Sequence, residues 1–174
     1  KVYHLGESHC LSYAHRSSAI DGSNFRIIPR ITFGAKAFYF SQTKHSNFKS
    51  ITKVNFTTLP KRSKIFLSYG EIDCHLYKGF ISASRKLEKP IEQLITETVI
   101  GYVQRFLEQN VRLNYHTYFI NVPAPFYYKE HSADLNSVVA RTVTLFNAEL
   151  KKIRCSMALI WWMCLDLQRA KKGF

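Results

Sequence analysis

The 174-residue sequence predicts one three-layer α/β/α domain on a mostly parallel β-sheet. Three observations predict it. Short apolar runs closed by Gly or Pro alternate with longer segments of helical period, the pattern of parallel sheets. The length suits a single domain of about 100–200 residues, so residues 1–174 are read as one unit. The composition, 46% hydrophobic and 21% charged with seven Gly and five Pro, excludes a disordered, collagen-like or low-complexity chain.

Along the chain, Val2 to Leu5 predicts a first strand, closed by Gly6. Phe25 to Ile28 predicts a second, ended by Pro29. Residues 38–59 predict a helix plus an irregular loop. Lys64 to Tyr69 is the clearest strand, ended by Gly70. Leu87, Ile91, Leu94, Ile95, Val99, Tyr102, Val103 and Phe106 follow a helical period, with Pro90 in the first turn and Asn110 near the end. Gly101 inside that helix costs about 1 kcal/mol against Ala, and the sequence gives no reason for it. Tyr115 to Val122 predicts a further strand, ended by Pro123 and Pro125. From Leu135 to Ile153 the helical period returns, with Asp134 as its N-cap. Residues 158–167 predict a last central strand, with a buried helix as the alternative that periodicity alone leaves open. No internal repeat is visible.

Charge is uneven. Twenty-five Lys+Arg against twelve Asp+Glu leave +13, and no acid occurs between Gly22 and Gly70. Such a surplus suits an anionic partner or a solvated basic face. Aromatic residues interleave with these cations, which admits a polyanion-binding module; aromatics at such spacings are more often core. With no P-loop, helix-turn-helix or zinc-finger pattern, nucleic acid is not an expected partner.

Four Cys without a C-x-x-C pair argue against a disulfide scaffold or zinc ribbon. The seven His are scattered. His9, Cys10, Cys74 and His75 become four possible zinc ligands if their loops meet, but the expectation is no metal and no cofactor. Unpaired Cys favours a reducing, cytoplasmic interior, with a removed leader before Lys1 as the alternative. The apolar stretch from Cys155 to Leu167 is shorter than the ~20 residues of a membrane helix, so no span is expected. The abrupt ends suggest a fragment. The sequence does not indicate an oligomeric state.

Three polar clusters each follow a strand: Gly6-Glu7-Ser8-His9-Cys10, Gly70-Glu71-Ile72-Asp73-Cys74-His75, and Asn121-Val122-Pro123-Ala124-Pro125. In a parallel sheet such loops share one edge, where ligands bind. Two carboxylates and an imidazole at a strand end should face a cleft or pair with cations. A Ser at the rim could present its hydroxyl, with backbone N–H groups nearby for an oxyanion, although a helix cap is the commoner use.

Gly-Glu-Ser-His near the start, Gly34 within Ile31 to Ala37, and Gly-Glu-Ile-Asp-Cys-His resemble the ordered blocks of the SGNH/GDSL hydrolases. They are closest to a subgroup with Gly-Glu-Ile-Asp-Cys-Arg in the third block. The resemblance runs from Val2 to about Asp166. It implies a flavodoxin-like fold and ester hydrolysis by a Ser nucleophile through an acyl-enzyme. The substrate it implies is a small-molecule or acylated-sugar ester. Ser8 would be the nucleophile, the backbone N–H groups of Ser8 and Gly34 oxyanion donors, and Asp73 the organiser of the third-block loop. Glu7, His9, Glu71 and His75 are the candidate substrate-binding residues.

Three features depart from the pattern. Ile72 stands where the family has an oxyanion Asn, and losing one such donor costs ~10²–10³ in turnover. His75 stands where the subgroup has Arg. The Asp-x-x-His block that supplies the family's base has no counterpart, because the four Asp are followed three positions on by Asn24, Leu76, Ser137 and Arg169. The expectation is therefore an esterase when that block is supplied by further sequence, and an impaired or inactive chain without it. The alternative is a non-catalytic SGNH-shaped domain that binds carbohydrate or polyanion.

Overall fold

The computed structural model describes residues 1–20, 22–125 and 132–170, except for the side chains of Ser18, Ile20 and residues 154–170. Five strands form one sheet in the order β2-β3-β1-β4-β5. They are β1 (Val2–Gly6), β2 (Ser17–Ile20), β3 (Ser23–Ile31), β4 (Lys64–Ser68) and β5 (His116–Phe119). β3, β1, β4 and β5 run parallel, and β2 is an antiparallel edge strand on β3. The parallel strands, taken in chain order, lie second-first-third-fourth, the flavodoxin-like winding. The domain has the expected three-layer α/β architecture.

The register sets the site. Gly6 pairs with Ile31 on one side and Ser68 on the other, so β1, β3 and β4 end flush. The chain leaves all three at one level. The order reverses between β1 and β4, and beside that reversal a parallel sheet opens a crevice.

The helices are α1 (Ala37–Ser41), α2 (Asn47–Thr57), α3 (Phe80–Leu87), α4 (Ile91–Asn110) and α5 (Ala133–Ala170). Leu5, Ile65, Leu67 and Phe119 of the sheet share a core with Phe40, Phe56, Tyr102, Phe106, Phe146 and Leu150 of the helices. Phe106 is its centre, its ring meeting those of Phe40, Phe56, Tyr69 and Tyr102. Full burial of each such ring stabilises by roughly 1.5–3 kcal/mol.

Four expectations change. The single helix from Leu87 is two, because Glu88 turns left-handed (φ 51°) as the C-cap of α3 and Pro90 starts α4. Asp134 lies in the first turn of α5; the cap is Ser132, whose Oγ accepts the Leu135 N–H at 3.3 Å. The second predicted strand is not ended by Pro29, since β3 runs from Ser23 through it to Ile31, and it pairs with β2, a strand the sequence reading does not anticipate. The predicted strand over 158–167 is instead the continuation of α5. No Gly or Pro interrupts the chain from Ala133 to Ala170, so the helical period of its first half propagates.

Gly101 acquires a reason. A Cβ there would sit 2.7 Å from Ser41 Cβ and 2.8 Å from its Cα, where α1 crosses α4. Gly101→Ala should therefore lose stability by about 1–3 kcal/mol through overpacking, less the ~1 kcal/mol that helix propensity returns. Urea unfolding measures this, and a variant more stable than the parent would refute the close crossing.

Candidate functional site

Gly6 lets the chain turn sharply, since a Cβ there would run into Ser68 and lie 3.1 Å from Cys10 Cβ. A 3-10 turn, Ser8–Tyr13, follows at once, held by the Cys10 N–H donating to the Glu7 carbonyl at 3.0 Å. Glu7 takes the N-cap position, so Ser8 is not the cap. The turn sorts its side chains: Ser8 is exposed, His9 half-buried, and Glu7 and Cys10 buried. After β3, residues 32–35 make a turn in which Gly34 is exposed and left-handed (φ 71°).

Direct bonds join all three strand-end blocks. The Thr32 N–H donates to the Gly6 carbonyl at 2.8 Å, linking the second block to the first. The Glu71 N–H donates to Glu7 Oε1 at 3.1 Å, linking the third to the first. The Ala37 and Phe38 N–H groups donate to the Asp73 carboxylate at 2.7 and 3.1 Å, linking the second to the third. Lys36 adds a bond from Nζ to the Lys78 carbonyl. Asp73 thus braces the start of α1 and lines neither of the hollows described below. Burial raises its carboxyl to about 6, against the opposing pull of those N–H bonds and of Lys36.

Glu7 is only 1% exposed. Burial raises its carboxyl to about 8, with the Glu71 carboxylate adding to the rise and the Glu71 N–H opposing it. Its Oε2 has no hydrogen-bond partner. His9 Nδ1 lies 3.9 Å from Glu71 Oε2, too far for a hydrogen bond. Among the described residues, Glu7, His9 and Glu71 are the one set of three potential metal ligands that converges, with ligand atoms within 4.8 Å of one another.

A cavity of about 210 Å³ opens beside them. Its polar rim includes His9, Glu71 and His75, and its apolar wall Leu76, Val122, Pro123, Val139 and Val143. A much smaller hollow is bordered by Glu7, His9, Ser68, Glu71 and Asn121. The three polar clusters predicted to share one edge therefore do so. Ser8 and Gly34 lie at the same edge but line neither hollow.

The four-ligand zinc set does not assemble. Cys10 and Cys74 are buried, and burial raises the Cys10 thiol to about 11 and the Cys74 thiol well above its usual value. Neither is poised as a nucleophile. Sequence reading also misses His4 and Ser68, whose Nε2 and Oγ are 2.8 Å apart. Burial lowers the His4 ring to about 4, so it is neutral at pH 7. Ser68 pairs with Gly6 in the register, which brings it within reach of His4, but no local motif marks the pair.

Glu7 makes a prediction. A carboxyl that is harder to ionise folded than unfolded supports the fold fully below its unfolded value, and that support is lost as pH rises through the folded one. His4 has the opposite sign, its contribution falling away below about 6.5. Between pH 6.5 and 8 Glu7 dominates, so in chelator-treated buffer the melting temperature should fall across that window. Glu7→Gln should flatten the slope; equal slopes in parent and variant would show that Glu7 ionises freely.

No family model matches this chain, and neither a curated protein nor a solved structure matches it.

Proposed function

We propose that this chain carries the nucleophile half of a serine acyl hydrolase of the SGNH type, active where further sequence supplies the Asp-x-x-His base and impaired without it. Ser8 Oγ would attack an ester carbonyl and lose its proton to a base, expelling the alcohol, and water would then release the acid from the acyl-enzyme. The backbone N–H groups of Ser8 and Gly34 would face the oxyanion. The observation that carries this reading is the mutual bonding of the three blocks, with Ser8 exposed where β1 ends. Asp73 fits its implied role, since its carboxylate binds the second block's helix start. The apolar wall beside His9 and Glu71 suits a short acyl group, and Phe33, 68% exposed beside Gly34, offers an aromatic face to a sugar.

The base is the open part of the proposal. The family draws it from an Asp-x-x-His block, and no Asp of this sequence has His three positions on. Turnover of p-nitrophenyl acetate should therefore be compared in this chain, in any longer form its gene encodes, and in the Ser8→Ala variant of each. The expected result is a drop of at least ~10² on Ser8→Ala in whichever form is active. Equal rates would remove Ser8 from the chemistry.

A second reading rests on a separate hollow of about 350 Å³ between α2 and α4, where Lys49, Lys53 and Arg105 gather. A non-catalytic polyanion- or carbohydrate-binding domain would use that basic surface. Binding of an anionic polymer that falls steeply with salt, without esterase activity, would favour it.

A further inference from the structure

We propose that Glu7, His9 and Glu71 form a binding site for a first-row divalent cation, of which Zn²⁺ and Mn²⁺ suit the donors. Sequence reading expects no metal here, because the three residues belong to no ligand-spacing motif. Only the flush ends of β1 and β4 bring them together.

Two observations point to a ligand. The three ligand atoms converge within 4.8 Å at the switch point of the sheet. Independently, Glu7 is 99% buried and one of its two carboxyl oxygens, Oε2, has no hydrogen-bond partner. The Glu71 N–H on Oε1 fixes the carboxylate so that Oε2 is the oxygen left over, the orienting contact that ligating carboxylates commonly have. His9 Nδ1 is likewise shielded from water without a hydrogen bond. Among the described residues no Lys or Arg forms an ion pair with Glu7 or Glu71. A buried carboxylate beside a second one needs a proton or a cation, and the imidazole selects a borderline metal over Mg²⁺ or Ca²⁺.

Ligands about 2.0–2.2 Å from a shared ion stand ~3.0–3.5 Å apart, so a set spread over as much as 4.8 Å must contract by roughly an ångström to bind one. The His9 and Glu71 side chains are partly exposed, at 42% and 32%, while Glu7 is buried and held by the Glu71 N–H. Because His9 and Glu71 also line the 210 Å³ cavity, a bound ion would sit at its rim, with the rest of its coordination left to water or a ligand.

The test is calorimetric titration of the chelator-treated protein with ZnCl₂ and with MnCl₂, beside melting temperatures with and without each ion. Saturable 1:1 binding is expected for at least one ion, with a rise in melting temperature. His9→Ala and Glu71→Gln change half-buried positions and should each weaken binding at least tenfold while circular dichroism shows an intact fold. Ser8→Ala should bind as the parent does, which separates this site from the acyl chemistry proposed above. No saturable binding of either ion, or binding that survives both His9→Ala and Glu71→Gln, would overturn the site.

Discussion

A single buried carboxylate organises the carboxyl edge of this sheet. Glu7 follows β1 directly, and its side chain is buried. Its Oε1 takes the Glu71 N–H, so the loop after β4 is held against the loop after β1. Asp73, two residues further on, passes that restraint to α1. A buried carboxylate is costly unless hydrogen-bonded or neutralised. Here the bonding is partial: one oxygen is satisfied, the other is not. Polar groups left in that condition are poised to bind something, and this one is at the point where the winding of the sheet reverses.

Helix packing constrains the start of the third-block loop. Gly70 has φ 129°, and a Cβ there would meet the Phe146 ring at 2.5 Å. The chain leaving β4 therefore passes tightly under α5 before it turns toward Glu7. Phe146 belongs to the core that also holds Phe80 and Val122, so helix packing and loop path are one problem. The cavity lined by His75, Val122 and Val143 is what remains where α5 and the third-block loop fail to close on each other.

How much of this was legible in the sequence depends on how local each cause is. β1, β3 and β4 are local: a few apolar residues and a following Gly, or a Pro near the strand end, suffice. The break between α3 and α4 is nearly so, because Pro90 marks it, yet the apolar period bridges Glu88 and hides it. Residues 158–167 mislead for a physical reason, since a short apolar run suits a buried strand and a helix equally. The gathering of the clusters at one edge follows from parallel winding alone. What cannot be read is which side chains of a cluster turn inward. Glu7 and Ser8 are neighbours of similar local character, and only the 3-10 turn sends one inside and the other out. For the same reason Cys10 and Cys74, attractive as ligands on paper, are buried.

That division of inward and outward groups also separates the two chemistries proposed for this edge. Ser8 has the exposure a nucleophile needs and lacks an assigned base. Its neighbour Glu7 has the proton affinity of a base, but its carboxylate is turned inward and held by the Glu71 N–H. Adjacent residues on a tight turn diverge, so Glu7 cannot serve Ser8 without breaking the bond that holds the third block in place. The Glu71 N–H on Oε1 holds the Glu7 carboxylate inward, away from the residue beside it. The edge therefore presents a hydroxyl at its exposed rim and keeps a carboxyl group one residue deeper.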